Sequence, residues 1–145
     1  MSCAAISSAA LLWLAAGPQG VSPEPAPLAG AVAYEPLFAD IMARAKGLKA
    51  EVEALGPAKP VPDALRTRIH ELADLDMQAH KVLAERKSDG DLKCILKGIS
   101  EDLGLKLQAL DEAKEPKARK AAISDMAYLL NDNVEVIAAP PAPAV

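Results

Sequence analysis

The sequence predicts an all-α fold, an antiparallel up-down four-helix bundle, and three observations predict it. Apolar residues recur every three or four positions in four segments, which is the spacing of helices with one buried face. Short connections separate the segments, so consecutive helices should run antiparallel. Aromatic residues make up only 3% of the chain, and a core of aliphatic residues favours helices over sheets. We expect a leader in residues 1–33, the bundle in 34–138 and a Pro- and Ala-rich tail in 139–145.

The first two helical segments have recognisable ends. The first is predicted over residues 36–55 and is terminated by Gly56 and Pro57. The second begins at Pro62, because the missing N–H of proline costs nothing at the first helical position, and it continues to about Lys87. The residues predicted to face inward are Leu37, Ile41, Ala45, Leu48, Val52 and Leu55 in the first helix, and Leu65, Ile69, Leu72, Asp76, Ala79 and Leu83 in the second.

The third and fourth segments follow the same pattern. Ser88, Asp89 and Gly90 predict a tight turn in which Ser or Asp caps the third helix. The fourth helix should start at Pro116 and stop before Pro140. The predicted inward residues are Leu92, Ile95, Leu96, Ile99, Leu103, Leu107 and Leu110 in the third helix, and Ala122, Ile123, Met126, Leu129, Leu130, Val134 and Ile137 in the fourth.

The N-terminal region is typical of an exported protein. An apolar run over residues 4–16, too short to span a bilayer, is followed by a Pro- and Gly-rich stretch that ends in small residues at Ala33. We therefore predict a signal peptide cleaved near Ala16 or after Ala33, a periplasmic or secreted location, and no stable membrane span after cleavage. If the segment is retained, the protein is instead a cytosolic or membrane-anchored regulator.

Charge and motif content argue against several function classes. The net charge is −4, and Lys and Arg alternate with Asp and Glu, so no basic field is available for a phosphate backbone and no nucleic-acid binding is expected. The sequence contains no Gly-rich phosphate loop, no HExxH pattern and no convincing pairing of a nucleophile with a base. We therefore predict a small non-enzymatic protein that acts as a binding or interaction module in the periplasm or envelope, with no catalytic residue.

Three polar residues occupy positions at which the helical pattern requires apolar ones: Asp76, Lys106 and Asn133. A buried charge needs a partner. Counting back from the turn at residues 88–90 places Asp76 within one helical turn of Lys106. We predict a buried Asp76–Lys106 ion pair that fixes the register of the helices, with a small polar pocket as the alternative.

A ligand-binding alternative centres on His80. It lies four residues after Asp76, so the carboxylate can orient the imidazole, and counting across the first loop places it one turn from Met42. His and Met on facing helices hold haem iron in some bundles. This arrangement resembles the cytochrome b562 and cytochrome c-prime families in architecture only, since no CxxCH motif is present. The alternative to a cofactor-free protein is therefore haem or a transition metal bound by His80, Asp76 and Met42.

Cys94 is the only thiol left once a signal peptide carrying Cys3 is removed. It falls opposite the apolar stripe of the third helix, near Gly98 and Leu105, and is predicted to be exposed. In an oxidising compartment this predicts an intermolecular disulfide and a homodimer through the Cys94, Gly98 and Leu105 face. The predicted partner is thus another protein or a second copy of the chain.

Overall fold

The computed structural model describes residues 31–87 and 90–141, and every regular element in these ranges is a helix. A 3₁₀ turn, Ala31–Tyr34, precedes four α-helices: α1 Pro36–Glu53, α2 Asp63–Arg86, α3 Gly90–Glu112 and α4 Pro116–Ala138. None of these described helices has the length and apolar character needed to cross a membrane. The predicted all-α class and four-helix bundle are confirmed.

Prolines mark the beginnings of three helices. Pro36 and Pro116 are the first residues of α1 and α4. Pro62 directly precedes α2, which therefore begins at Asp63, one residue later than predicted. Proline is tolerated there because its missing N–H would have no partner within the helix. α1 ends two residues short of its predicted end, and the N–H of Leu55 donates instead to the carbonyl of Val52 in a tighter turn.

The end of α2 is set by one left-handed residue. Lys87 has a φ of 55° and its N–H donates to the carbonyl of Ala84. A residue in this conformation redirects the chain and so terminates a helix. Ser88 and Asp89, which the sequence predicts as caps of α3, lie outside the described residues.

The four helices form a ring. α1 contacts α2, α2 contacts α3, α3 contacts α4 and α4 contacts α1, so that α2 and α4 face each other across the diagonal. In contacts between consecutive helices, the residue numbers increase along one helix as they decrease along the other, as expected for an up-down bundle. The contacts that fit this course are Glu35 with Arg86 and Glu51 with Arg68 for α1 and α2, Arg66 with Asp111 and His80 with Lys93 for α2 and α3, and Lys106 with Asp125 and Leu110 with Arg119 for α3 and α4.

The predicted apolar stripes account for most of the core. All six residues expected inward on α2 are buried. On α1, Phe38 is fully buried whereas Leu37 is only half-buried, because the stripe is rotated by one position at the start of that helix. The core also contains two polar residues of α4, Arg119 and Asn133. Four other predicted core residues pack against the core while half-buried: Leu55, Ile95, Ile123 and Val134.

The packed region extends to the 3₁₀ turn before α1. Val32 is buried, and its turn contacts both α1 and α4. The N–H of Glu35 donates to the Val32 carbonyl and joins the turn to the beginning of α1. The packed core therefore begins at Val32, two residues before the predicted start of the bundle at position 34.

Candidate functional site

A polar pair occupies the centre of the bundle. Asp76 of α2 and Asn133 of α4 are both 0% exposed, and Asn133 Nδ2 donates to Asp76 Oδ2 at 2.8 Å. Since the described parts of α2 and α4 share no direct backbone contact, this hydrogen bond crosses the diagonal of the helix ring. It is a polar link, made inside a low-dielectric interior, between two helices that are not neighbours in the ring.

Asp76 and Asn133 are buried at the positions that the helical pattern predicts, but the predicted partner of Asp76 is wrong. Lys106 Nζ lies 3.4 Å from Asp125 Oδ2 on α4, at the bundle surface. The reason is register: His80 lies opposite Lys93 and Ala73 opposite Ser100, so Asp76 faces the level of Lys97. Lys106 is nine residues farther along α3, roughly 13 Å away along the axis. The predicted Asp76–Lys106 pair therefore does not form.

The Asp76 carboxyl has an unusual electrostatic environment. Burial raises its pKa from the ordinary 3.8 to about 7, and the hydrogen bond from Asn133 acts in the opposite direction. The remaining oxygens of the pair, Asp76 Oδ1 and Asn133 Oδ1, are buried and have no hydrogen-bond partner among the described residues. Orphaned buried acceptors of this kind are uncommon and need an explanation.

His80 is oriented by α3 rather than by Asp76. Its Nδ1 lies 2.7 Å from the carbonyl oxygen of Lys93, and because a carbonyl can only accept, Nδ1 carries the proton. A backbone carbonyl often orients a ligating histidine in this way. The predicted orienting carboxylate, however, is turned toward Asn133.

The other two predicted ligands, Met42 and Asp76, have contacts of their own. Met42 is half-buried and packs against the core of the bundle, while Asp76 is bonded to Asn133. Among residues 31–87 and 90–141, no group of three or more His, Cys, Asp and Glu side chains could hold a metal ion. Haem or metal binding by His80, Asp76 and Met42 stays a prediction.

The α3 face predicted for dimer formation is only partly open. Leu105 is 62% exposed as predicted, and a side chain at position 98 would meet no described atom within 4 Å of its first carbon. Cys94 is half-buried, whereas the sequence predicts an exposed thiol. The carbonyl of the adjacent Lys93 contacts His80, so this part of α3 lies beside α2. An intermolecular disulfide through Cys94 stays a prediction.

Arg119 is a buried residue that the sequence analysis missed. It is 4% exposed, and its guanidinium donates to two backbone carbonyls, Leu110 at the end of α3 and, at 2.7 Å, Lys59 in the loop between α1 and α2. A signal is present in the sequence, because position 119 extends the stripe of Ala122 and Met126 by one further step of three. Arginine is seldom fully buried unless it is paired, so residue type alone assigns this position to the surface.

A large open groove lies between α1 and α4, at the end of the bundle where α1 finishes and α4 begins. Its volume is about 850 Å³. Small side chains on α4, Ser124 and Ala127, leave room between the two helices. The apolar lining consists of Leu55, Pro57, Pro116, Ile123, Ala127 and Tyr128, and the polar lining of Lys49, Glu53, Lys120, Ser124 and Asn131.

The groove combines an exposed aromatic side chain with a positively charged rim. Tyr128 is 73% exposed and lines the groove. Lys49 Nζ pairs with Glu53 at 3.0 Å. Lys120 is exposed and has no acidic partner in the part of the chain that the structure describes. The groove therefore presents an apolar floor beside one unneutralised cation.

No family model, curated protein or solved structure matches the chain. The groove and the central polar pair are consequently the features from which a function has to be inferred. Of these two, only the groove is open to a partner.

Proposed function

We propose that the protein is a small exported, non-enzymatic helical bundle that binds a partner protein in the periplasm or envelope through the groove between α1 and α4. The observation that carries this proposal is the groove itself, an open apolar concavity of about 850 Å³ with Tyr128 exposed at its side. Contiguous apolar surface rimmed by polar residues is typical of interaction sites.

The occupant that best fits the groove is an amphipathic helix with acidic residues beside its apolar face. Two roughly antiparallel helices with an apolar furrow between them offer the surface on which a third helix packs. Ile123, Ala127 and Leu55 supply the apolar contact, while Lys120 supplies a charge that an acidic flank would neutralise. The exposed Tyr128 ring can cover one side of such a helix, a role in which aromatic residues are enriched at interfaces.

The non-enzymatic part of the proposal is supported by the position of the most perturbed acid. A catalytic carboxyl with a raised pKa normally lines a cleft that a substrate can enter. Asp76 is 0% exposed, and one of its oxygens already accepts from Asn133. Its location in the bundle centre is that of a structural group.

A peptide-binding experiment tests the groove. A labelled helical peptide of about twenty residues, with leucines at helical spacing and glutamates along one flank, is titrated with the full-length protein by fluorescence anisotropy. We expect Tyr128→Asp to weaken binding at least about tenfold, because it places a carboxylate against the apolar face of the peptide and opposes its acidic flank.

Matched controls separate the groove from the rest of the surface. Tyr34 is 90% exposed and lies at the other end of α1, so Tyr34→Asp introduces the same charge outside the groove and should leave binding unchanged. A peptide with lysines in place of the glutamates should bind more weakly. Equal binding by both tyrosine variants would exclude the groove as the site, and equal binding by a scrambled, non-helical peptide would exclude a helix as its occupant.

The export part of the proposal makes a separate prediction about the mature N-terminus. Cleavage after Ala33 would remove Val32, which is buried against α1 and α4, whereas cleavage near Ala16 would retain it. We therefore expect intact-mass measurement of protein from an exporting host to show cleavage near Ala16. A mature chain beginning at Tyr34 would contradict this prediction, and a full-length mass in the cytosolic fraction would contradict export.

A further inference from the structure

The two oxygens of the central pair that lack partners belong to the same two side chains that share its hydrogen bond. Asn133 Nδ2 donates to Asp76 Oδ2, and the orphaned atoms are Asp76 Oδ1 and Asn133 Oδ1. An ionised carboxylate and an amide oxygen can only accept hydrogen bonds, so these atoms cannot satisfy each other while Asp76 is charged. A proton on Asp76 Oδ1 would convert one of them into a donor.

We infer that Asp76 and Asn133 form a proton-dependent lock between α2 and α4, closed when the Asp76 carboxyl is protonated and donates from Oδ1 to Asn133 Oδ1. The pair then has two hydrogen bonds, one in each direction, in the cyclic arrangement that carboxylic acids form with primary amides. Both orphaned acceptors are satisfied by this single proton. Loss of the proton leaves a charged group in the bundle centre with one hydrogen bond.

Titratable side chains near the level of the lock occur on every helix of the bundle. A positively charged group close to Asp76 would favour the charged form of its carboxyl and so oppose closing of the lock, and for this reason each of these groups has to be considered. They are Arg44 on α1, His80 on α2, Lys97 on α3 and Asp132 on α4.

The contacts described for these groups are made with residues other than Asp76. Asp132 has the same sign of charge as Asp76 and cannot serve as its counter-ion. The energetic balance at Asp76 is therefore between burial and the hydrogen bond with Asn133. Contacts that the others make include Arg44 with Asp40 and Glu71, His80 with the Lys93 carbonyl, and Lys97 with Glu101.

The direction of the pH effect follows from proton binding. Burial raises the pKa of Asp76 to about 7 in the folded protein, while an exposed aspartate of the unfolded chain has the ordinary value of 3.8. Between these values the folded state holds a proton that the unfolded state has released. Stability should therefore fall as the pH rises from about 4 through about 7 and stay level above it, the opposite of a salt-bridged carboxylate.

The lock has a defined place in the fold. It links the two helices that lie across the diagonal of the ring, and α4 also carries one wall of the groove. Loss of the proton would weaken the link between α4 and α2 to one hydrogen bond while leaving the contacts of α4 with α1 and α3 in place. This inference does not depend on the proposed binding function, since it concerns the stability of the bundle itself.

The test is chemical unfolding of the full-length protein across the pH range, compared with Asp76→Asn. For the unmodified protein, we expect the folding equilibrium constant to fall about a hundredfold between about pH 5 and about pH 8, on top of any change shared with Asp76→Asn. Asp76→Asn keeps the shape and two-way hydrogen bonding of the pair but has no proton to lose, so its profile should lack this component. Asp74→Asn, an exposed change two residues earlier on α2, is the matched control and should keep it.

Carbon-13 NMR of the Asp76 carboxyl supplies a second measurement that does not rely on a variant. A titration midpoint near neutral pH supports the lock, and a midpoint in the ordinary aspartate range overturns it. The lock is also overturned if Asp76→Asn retains the pH-dependent loss of stability that the Asp74→Asn control shows.

Discussion

Replacement of Arg119 with methionine is expected to lower the free energy of unfolding by about 3 kcal/mol. Arg119 donates to the Leu110 carbonyl, one of the last four carbonyls of α3, which have no partner within the helix. It also donates to the Lys59 carbonyl in the loop between α1 and α2. One side chain thus joins three parts of the chain, and methionine would leave two carbonyls without their donors.

The other carbonyls at the end of α3 show why Arg119 is needed. The Ala109 carbonyl accepts from the N–H of Ala113, and the Asp111 carbonyl accepts from Lys114 Nζ at 3.1 Å. Leu110 lies between them and is satisfied by Arg119. A cation close to the C-terminus of a helix is also favoured by the helix dipole. Arg119 therefore supplies the donor for the Leu110 carbonyl, which lies between two carbonyls that have other partners.

Urea unfolding followed by circular dichroism measures the effect of Arg119→Met. Lys117→Met and Lys120→Met remove a positive charge from exposed positions of the same helix and should each change stability by less than about 0.5 kcal/mol. The loss of stability for Arg119→Lys should be intermediate between that of Arg119→Met and those of the two lysine controls. Lysine keeps the charge, but its ammonium group lacks the planar fork that reaches two carbonyls. A loss for Arg119→Met no larger than that of the two lysine controls would show that the buried guanidinium contributes little.

The second large effect concerns Asn133. Asn133→Leu should destabilise the protein by about 3 kcal/mol at about pH 8, because it leaves the buried Asp76 carboxylate without the hydrogen bond that Asn133 donates. The double variant Asp76→Leu with Asn133→Leu should recover most of this loss, since it replaces both polar groups with apolar ones of similar shape.

A double-mutant cycle measured by urea unfolding at about pH 5 and about pH 8 separates the pair from its surroundings. At the lower pH the single variant Asn133→Leu should be less destabilised, because a protonated Asp76 is easier to bury than a charged one. A double variant as unstable as Asn133→Leu alone would indicate that leucine side chains overfill the bundle centre. It would contradict the expectation that the polar pair itself is the source of the loss.

Local sequence patterns carried most of the information about the helices. The six inward residues of α2 were all predicted, because a period of 3.6 residues specifies one face of a helix wherever that helix packs. The beginnings at Pro36 and Pro116 could be predicted for a similar reason, since the restricted φ and missing N–H of proline act within the first turn. The burial of Asp76 and Asn133 likewise followed from their positions on these stripes.

The pairing of those buried residues could not be obtained in the same way. Counting from a turn relates only helices that are consecutive in sequence, and it placed Asp76 near Lys106 because the register of α2 and α3 was misjudged by about one and a half turns. The actual partner lies on α4, which is reached only across the diagonal of the ring. Whether side chains of α2 and α4 meet depends on how each of the four helices is rotated about its own axis in the bundle.

The sequence by itself determined that this protein forms four amphipathic helices, that two of them begin at Pro36 and Pro116, and which faces of the helices are mostly buried, because these properties depend on interactions between residues a few positions apart. Only the tertiary structure decided that Asn133 bonds Asp76, that Arg119 bonds the Leu110 carbonyl near the end of α3, and that α1 and α4 leave a groove beside Tyr128. Each of these depends on distances between side chains of different helices, which packing of the whole bundle fixes.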